Sequence, residues 1–272
     1  MDCFGLSENK IFCVDQSGRS FLYDAGLRSV VPMPSLHCSK WRPISFSVPN
    51  DPEAEDGGGC LYVMEKTPLP QPEKGQLEAF TAPTKAYAVL GGGSHLCVSG
   101  EGVGTYCLDT TTKEWTRAGD WMLPFYGKAE HVPELGIWFG ASDYAPSASD
   151  LSPALHGEEP ELCCVGKNHY YPPGWELVDD TQIVTLGSGR ICTLDLVVTM
   201  DNNALDYGGN PVVDDSFAVL RGLELLPRGH GDKQAANGNG NGAENGNGKF
   251  RMINHKSMVY RPHGGNCLEA VL

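Results

Sequence analysis

Apolar residues along the chain fall in short runs, nearly all bounded by Gly, Pro, Ser or Asp. Runs rich in Val, Ile, Phe, Tyr and Leu lie at 11–14, 21–23, 44–48, 61–64, 96–98, 105–108, 137–139, 183–186, 191–198 and 252–260. Apolar runs of that length, punctuated by turn residues, predict β-strands. No long segment carries a helical period. Closely spaced strands with frequent turns predict an all-β chain, as a sandwich, barrel or propeller.

Internal repetition separates these architectures. The segment Ser17-Gly18-Arg19-Ser20-Phe21-Leu22-Tyr23-Asp24 aligns without a gap to Ser188-Gly189-Arg190-Ile191-Cys192-Thr193-Leu194-Asp195. Between them, Gly104-Thr105-Tyr106-Cys107-Leu108-Asp109 repeats the strand-then-aspartate pattern. The aspartates are 85 and 86 residues apart, at 24, 109 and 195. Pro34 to Pro43 and Pro124 to Pro133 both span nine residues and lead into apolar strands. Half of the larger spacing is close to the ~40–50 residues of one propeller blade, which predicts about six blades. Each aspartate is expected to accept hydrogen bonds in the turn after its strand. After Asp109 that turn should lead to a strand starting near Trp115, whose ring packs between sheets.

Asp109-x5-Trp115, with Gly91-Gly92 upstream, resembles a degenerate kelch repeat. The segments VDQSGRSFLYDA (14–25), KWRPISF (40–46) and GVGTYCLDTTTKEWTRAGDWMLPFYGKAEHVPELGIWFG (102–140) resemble an uncharacterised plant family, expanded in grasses and defined by a domain of unknown function. The resemblance covers most of the chain. It implies a kelch-like or F-box-associated β-propeller and no established activity, so no catalytic residue is carried over. Relative to that family, the stretch between Leu77 and Ala86 is short. The expectation is therefore one propeller-like domain over 1–272, incomplete or with one shortened blade. Family members often carry sequence upstream, and no F-box helices precede the repeats here. A ubiquitin-ligase adaptor role would then need another chain.

Composition narrows the setting. The 272 residues carry a formal charge of −14, and no Lys/Arg cluster offers a surface for phosphate backbones or anionic membranes. There is no run of ~20 apolar residues and no secretion signal at the start, so a cytoplasmic or nuclear protein is expected. Ten cysteines are present. Cys13, Cys97, Cys107 and Cys192 sit singly in apolar runs, which predicts reduced, structural thiols in a reducing compartment.

Candidate chemistry is sparse. His37-Cys38, His95-x-Cys97, and Cys163-Cys164 with His169 lack the paired spacing of a structural zinc site. Cys163 or Cys164 could act with His169 as a nucleophile pair. A Cys-Cys pair on a strand more simply points one thiol inward and one outward. Gly91-Gly92-Gly93 precedes a strand rather than a helix, so it reads as a tight turn and not a phosphate cradle. The acidic pairs Glu158-Glu159, Asp179-Asp180 and Asp214-Asp215 lie among polar, Gly and Pro residues and should face solvent. The Asn/Gly-rich tract within 229–249 is expected to be a mobile hairpin insertion in the last blade, between strands at 216–226 and 249–260. Long polar connections are expected at 199–215 and 142–161, and a surface turn at Pro68–Pro72. These readings assign no catalytic, metal or cofactor residue and no cofactor. They predict a noncatalytic module that presents loops to a protein partner, with no nucleic-acid or membrane binding. The alternative is a carbohydrate-binding, hydrolytic or oxidative propeller with its site in the central channel.

Overall fold

The structure is a computed structural model of the 272-residue chain; it describes residues 2–7, 9–15, 17–36, 40, 42–48, 59–67, 82–143, 145–168, 171–205, 208–228 and 249–261. The Asn/Gly-rich insertion, Pro68–Pro72, His37-Cys38 and His169 lie outside those residues. The described chain divides into two compact units. One is drawn from Met1–Thr84 and Val89–Met122, the other from Lys85–Ala88 and Leu123–Glu269.

The expected all-β architecture is the one the chain adopts. In the first unit, β1 (Asp2–Ser7), β2 (Lys10–Val14), β3 (Ser20–Asp24) and β4 (Ser29–Met33) form a four-stranded antiparallel meander in sequence order. That is the strand count and connectivity of one propeller blade. A hairpin follows, of β5 (Pro43–Val48) and β6 (Cys60–Glu65). Alternation along β5 buries Ile44, Phe46 and Val48, as a half-buried strand requires. The strand β7 (Thr84–Leu90) leads through a 3-10 turn at Gly91–Gly93 into the meander β8 (His95–Gly100), β9 (Gly104–Asp109) and β10 (Trp115–Gly119). Gly91, Gly92 and Gly93 all have positive φ, so these glycines make the expected turn.

The second unit continues with β11 (Tyr126–Val132), β12 (Ile137–Ser142), β13 (Ala145–Ser149) and β14 (Leu162–Val165), paired in order and antiparallel. Ala86–Ala88 of β7 pair parallel with Gly127–Ala129 of β11. The last sheet holds β15 (Trp175–Leu177), β16 (Gln182–Gly187), β17 (Arg190–Leu205), β18 (Pro211–Pro227) and β19 (Phe250–Tyr260). A core cluster drawn from both of these sheets includes Val132, Ile137, Phe139, Ala148, Cys164, Ile183, Ile191 and Leu223, all buried.

The three repeat segments occupy equivalent strands in equivalent hairpins. Ile11 pairs with Tyr23, Leu96 with Leu108 and Gln182 with Leu194, so the register matches at the residue before each aspartate. Each repeat strand enters from a tight turn. At Gly104 (φ 91°) a Cβ would lie 2.2 Å from the Gly119 carbonyl oxygen; at Gly189 (φ 71°) it would lie 2.4 Å from that of Leu225. Glycine is required at both points by conformation and by space. Glu134 braces the second turn, accepting the Gly189 N–H at 2.6 Å. That bond holds its carboxyl below the usual range.

Two aspartates act as expected. Asp24 Oδ1 accepts the Leu27 N–H at 2.9 Å. Asp109 Oδ1 accepts the N–H groups of Thr111 at 2.7 Å and Thr112 at 3.1 Å. Four residues before each, a buried hydroxyl donates to a carbonyl beyond the next strand. Ser20 reaches Pro34 at 2.8 Å and Thr105 reaches Trp121 at 2.7 Å. Trp115 starts β10 as expected, with its ring half-buried.

Three expectations are corrected. The segment 199–215 is not a polar connection, because β17 and β18 run as one ribbon to Leu205 and from Pro211. Its ladder satisfies the backbone while most side chains there face solvent, so no apolar pattern marks the strands. The segment 142–161 holds β13, all of whose residues are buried. Its small residues, Ala-Pro-Ser-Ala-Ser, carry no bulky strand signature. Finally, Cys97 and Cys107 are not separate thiols but a disulfide, with Cα atoms 4.1 Å apart. They sit directly opposite on β8 and β9, where neighbouring Cβ atoms of a ladder come closest.

Phe139 is fully buried, so Phe139→Ala should lower unfolding free energy by about 3–5 kcal/mol in urea titration. Hydrogen bonds from the Thr112 and Thr111 amides hold the Asp109 carboxyl below its ordinary range. Its contribution is present above the unfolded carboxylate range, about pH 4, and is lost as pH falls through the lower folded value. Asp109→Ala should therefore destabilise the chain at pH 7 and flatten the acid limb of its stability profile, both read by urea titration from pH 2 to 7.

Candidate functional site

The third aspartate departs from its two counterparts. Asp195 lies in the middle of β17 and is 3% exposed. Cross-strand register pairs Asp195 with Val219 and Thr193 with Arg221. Side chains alternate along each strand, so Asp195 and Arg221 share one face of the ribbon.

That face carries a closed polar network. Thr181 Oγ1 donates to Asp195 Oδ1 at 2.6 Å, and Tyr171 OH and Arg221 Nη1 both donate to Oδ2. Arg221 Nη2 donates to the Tyr171 oxygen at 2.9 Å, and its guanidinium lies 5.1 Å from that ring's centre. The side chains of Asp195 and Arg221 are 4% and 11% exposed. Aromatic packing extends the network along the sheet. Tyr171 stacks on Trp175 at 6.1 Å, and Trp175 meets Phe217 edge-on at 4.5 Å. Arg261 caps the Phe217 ring at 4.7 Å.

Beside these groups is a recess of about 30 Å³, with Ala141, Ala145 and Pro146 opposite Tyr171, Asp195 and Arg221. It has room for one or two waters. Small-molecule sites are roughly ten times larger. Burial, followed by the Asp195 hydrogen bond and charge, pushes the Tyr171 phenol above its ordinary value, so it stays protonated and donates. Every charge in the cluster is spent on another member. The arrangement fastens strands.

The residues singled out in the sequence are not brought together here. Cys164 is buried in the core cluster. Cys163 is half-buried, its Sγ donates to the Ala148 carbonyl at 3.3 Å, and burial raises its thiol pKa, which disfavours the nucleophilic thiolate. The expected split into one inward and one outward thiol is not what the strand shows, since Cys163 packs against the same core cluster that holds Cys164. His95 Nδ1 lies 2.8 Å from Ser94 Oγ, and Cys97 is spent in the disulfide. Glu158, Glu159, Asp179 and Asp214 are exposed, and Asp215 pairs with Arg261 at 3.0 Å. The network itself was missed because Asp195 reads as one repeat marker among three. Its signal was an acid and a base each embedded in an apolar run, ICTLDLVV and FAVLRGLELL. Such charges must find partners when buried.

Fold and site together define an all-β protein of antiparallel meanders, fastened internally by a buried ion pair. The chain belongs to the family described as "Protein of unknown function (DUF1668)", whose model matches residues 1–85 and 78–260. No curated protein matches it. Among solved structures it is similar to the β-propeller domain of Cps50 (Swd1) from Myceliophteria thermophila, at 11% identity and a TM-score of 0.33, covering 79% of this chain and 77% of that one.

Removing one partner of a buried ion pair strands the other, whereas replacing both leaves no uncompensated charge. Asp195→Leu and Arg221→Met should each cost about 3–5 kcal/mol in urea unfolding, and the double variant should cost less than either.

Proposed function

We propose that this chain is a noncatalytic, kelch-like propeller scaffold that binds another protein. The observation that carries the proposal is the outer strand β4. It is the last strand of its sheet, and its residues are exposed on both faces. Leu27, Val30, Val31 and Met33 are 77%, 64%, 47% and 37% exposed, with Tyr23 of β3 beside Val30 on one face and Val31 and Met33 on the other. An outer strand can accept an extended segment through its backbone, although Pro32 offers a carbonyl and no N–H, while pockets between side chains select the sequence. The occupant fitted to it is an apolar extended segment of a partner protein. Basic flanks would suit the −14 charge of this chain, chiefly through encounter rate.

The buried recess supports the noncatalytic reading, since its carboxylate, guanidinium and phenol satisfy one another. The setting proposed is the cytoplasm or nucleus, where a structural disulfide such as Cys97–Cys107 is an exception. Among the described residues no helix is long and apolar enough to cross a membrane.

Val30→Glu/Val31→Glu places charge on both faces of β4 at exposed positions, so the thermal midpoint should hold. The wild-type chain should recover a defined protein from native extract that the double variant recovers at least tenfold less, by quantitative mass spectrometry. Equal recovery, or turnover of a glycoside by the pure chain, would overturn the proposal. A concentration-dependent dimer on size-exclusion chromatography, abolished by the same variant, would reassign the surface to a second copy.

A further inference from the structure

Two cross-strand cysteine pairs occur on the described strands of the first unit. One is the Cys97–Cys107 disulfide between β8 and β9. The other is Cys3 and Cys13, directly opposite on β1 and β2 with sulfurs 3.5 Å apart. Both pairs span ten residues, and each is centred on its hairpin turn. We propose that Cys3 and Cys13 form a redox couple, a dithiol that low-molecular-weight disulfides convert to a second cross-strand disulfide.

The placement meets the requirements of the reaction. A disulfide needs its sulfurs at about 2.05 Å, so closure from 3.5 Å needs only small side-chain rotations, with the ladder already in register. Cys3 is half-buried on the outer strand of its sheet, whereas Cys13 is 9% exposed on the second strand. Cys3 is therefore the thiol an external disulfide can reach. Its thiolate attacks one sulfur of the small disulfide, and one small thiol leaves. The Cys13 thiolate then attacks the Cys3 sulfur of the mixed disulfide and the second small thiol leaves. Two protein thiols and one small disulfide give one protein disulfide and two small thiols, and the electrons balance.

The consequence falls on β1. Its ladder partner is β2, and Ser47 Oγ on β5 donates to the Leu6 carbonyl at 3.0 Å. A covalent bond to β2 would fix this outer strand, and reduction would return it to hydrogen bonds and the packing of Phe4 on Phe12. The Cys97 and Cys107 side chains are 0% and 4% exposed, so their bond is shielded from small thiols and should respond more slowly.

The full chain should be equilibrated in reduced and oxidised glutathione mixtures, quenched in acid, and trapped with N-ethylmaleimide in denaturant. The expected result is a Cys3–Cys13 linked peptide, 2 Da lighter than the two thiols, that appears with oxidised glutathione and disappears on reduction. Its formation should raise the thermal midpoint, and Cys13→Ser should abolish both the linked peptide and the rise. In Cys13→Ser the intermediate should accumulate as glutathionylated Cys3, which tests the order of attack even if that variant is less stable. Maleimide on both cysteines throughout the redox range, or Cys3 linked to any other cysteine in the folded chain, would overturn the proposal.

Discussion

A carboxylate taken out of water must be compensated in full, and the second unit is arranged around one that is. Asp195 collects donors from Tyr171 in the segment before β15, Thr181 before β16 and Arg221 on β18. One side chain thus ties together pieces of chain up to 50 residues apart in sequence. Desolvating both ions is expensive, so the intact pair adds little net stability, whereas the loss of one partner is costly. The aromatic row from Tyr171 to Phe217 packs apolar surface along one side of those bonds.

The same hairpin register serves both purposes seen in the repeats. In the first two, the aspartate ends its strand and caps a solvent-exposed turn, and a buried hydroxyl four residues earlier ties the strand to the next connection. In the third the strand does not end. Ile191 replaces the hydroxyl, β17 runs on to Leu205, and the aspartate is carried into the interior. A surface cap became a buried clamp without a change in pairing. The strand is longer because its partner β18 is longer, and together they make the longest ladder among the described residues.

What was legible in the sequence follows from this. Strands with alternating or continuous bulky apolar residues, such as β5 and β9, carry their burial in their composition, and the aspartate spacing exposed equivalent hairpins. β13 was hidden because small residues pack on both faces without a hydrophobic signature. The ends of β17 and β18 were hidden because their ladder needs no core. The disulfide was hidden for a different reason. Each cysteine reads as a small hydrophobe in its own run, and only the turn centred near Gly102 reveals that Cys97 and Cys107 face each other. Asp195 was located correctly and given the wrong environment, since residue type and spacing do not distinguish a turn cap from a buried ion.

The described chain buries a paired carboxylate at Asp195 and leaves the apolar residues of β4 exposed. The most direct test is native-state hydrogen exchange on the intact chain, followed by mass spectrometry. If the Asp195–Arg221 cluster fastens the second unit, amides of β17 and β18 flanking it, about 192–198 and 216–223, should exchange slowest and only by global opening. Amides of Val30, Val31 and Met33 on β4 should exchange by local fluctuation. Exchange around Asp195 as fast as on β4 would contradict the account, because a clamp that opens locally holds nothing together.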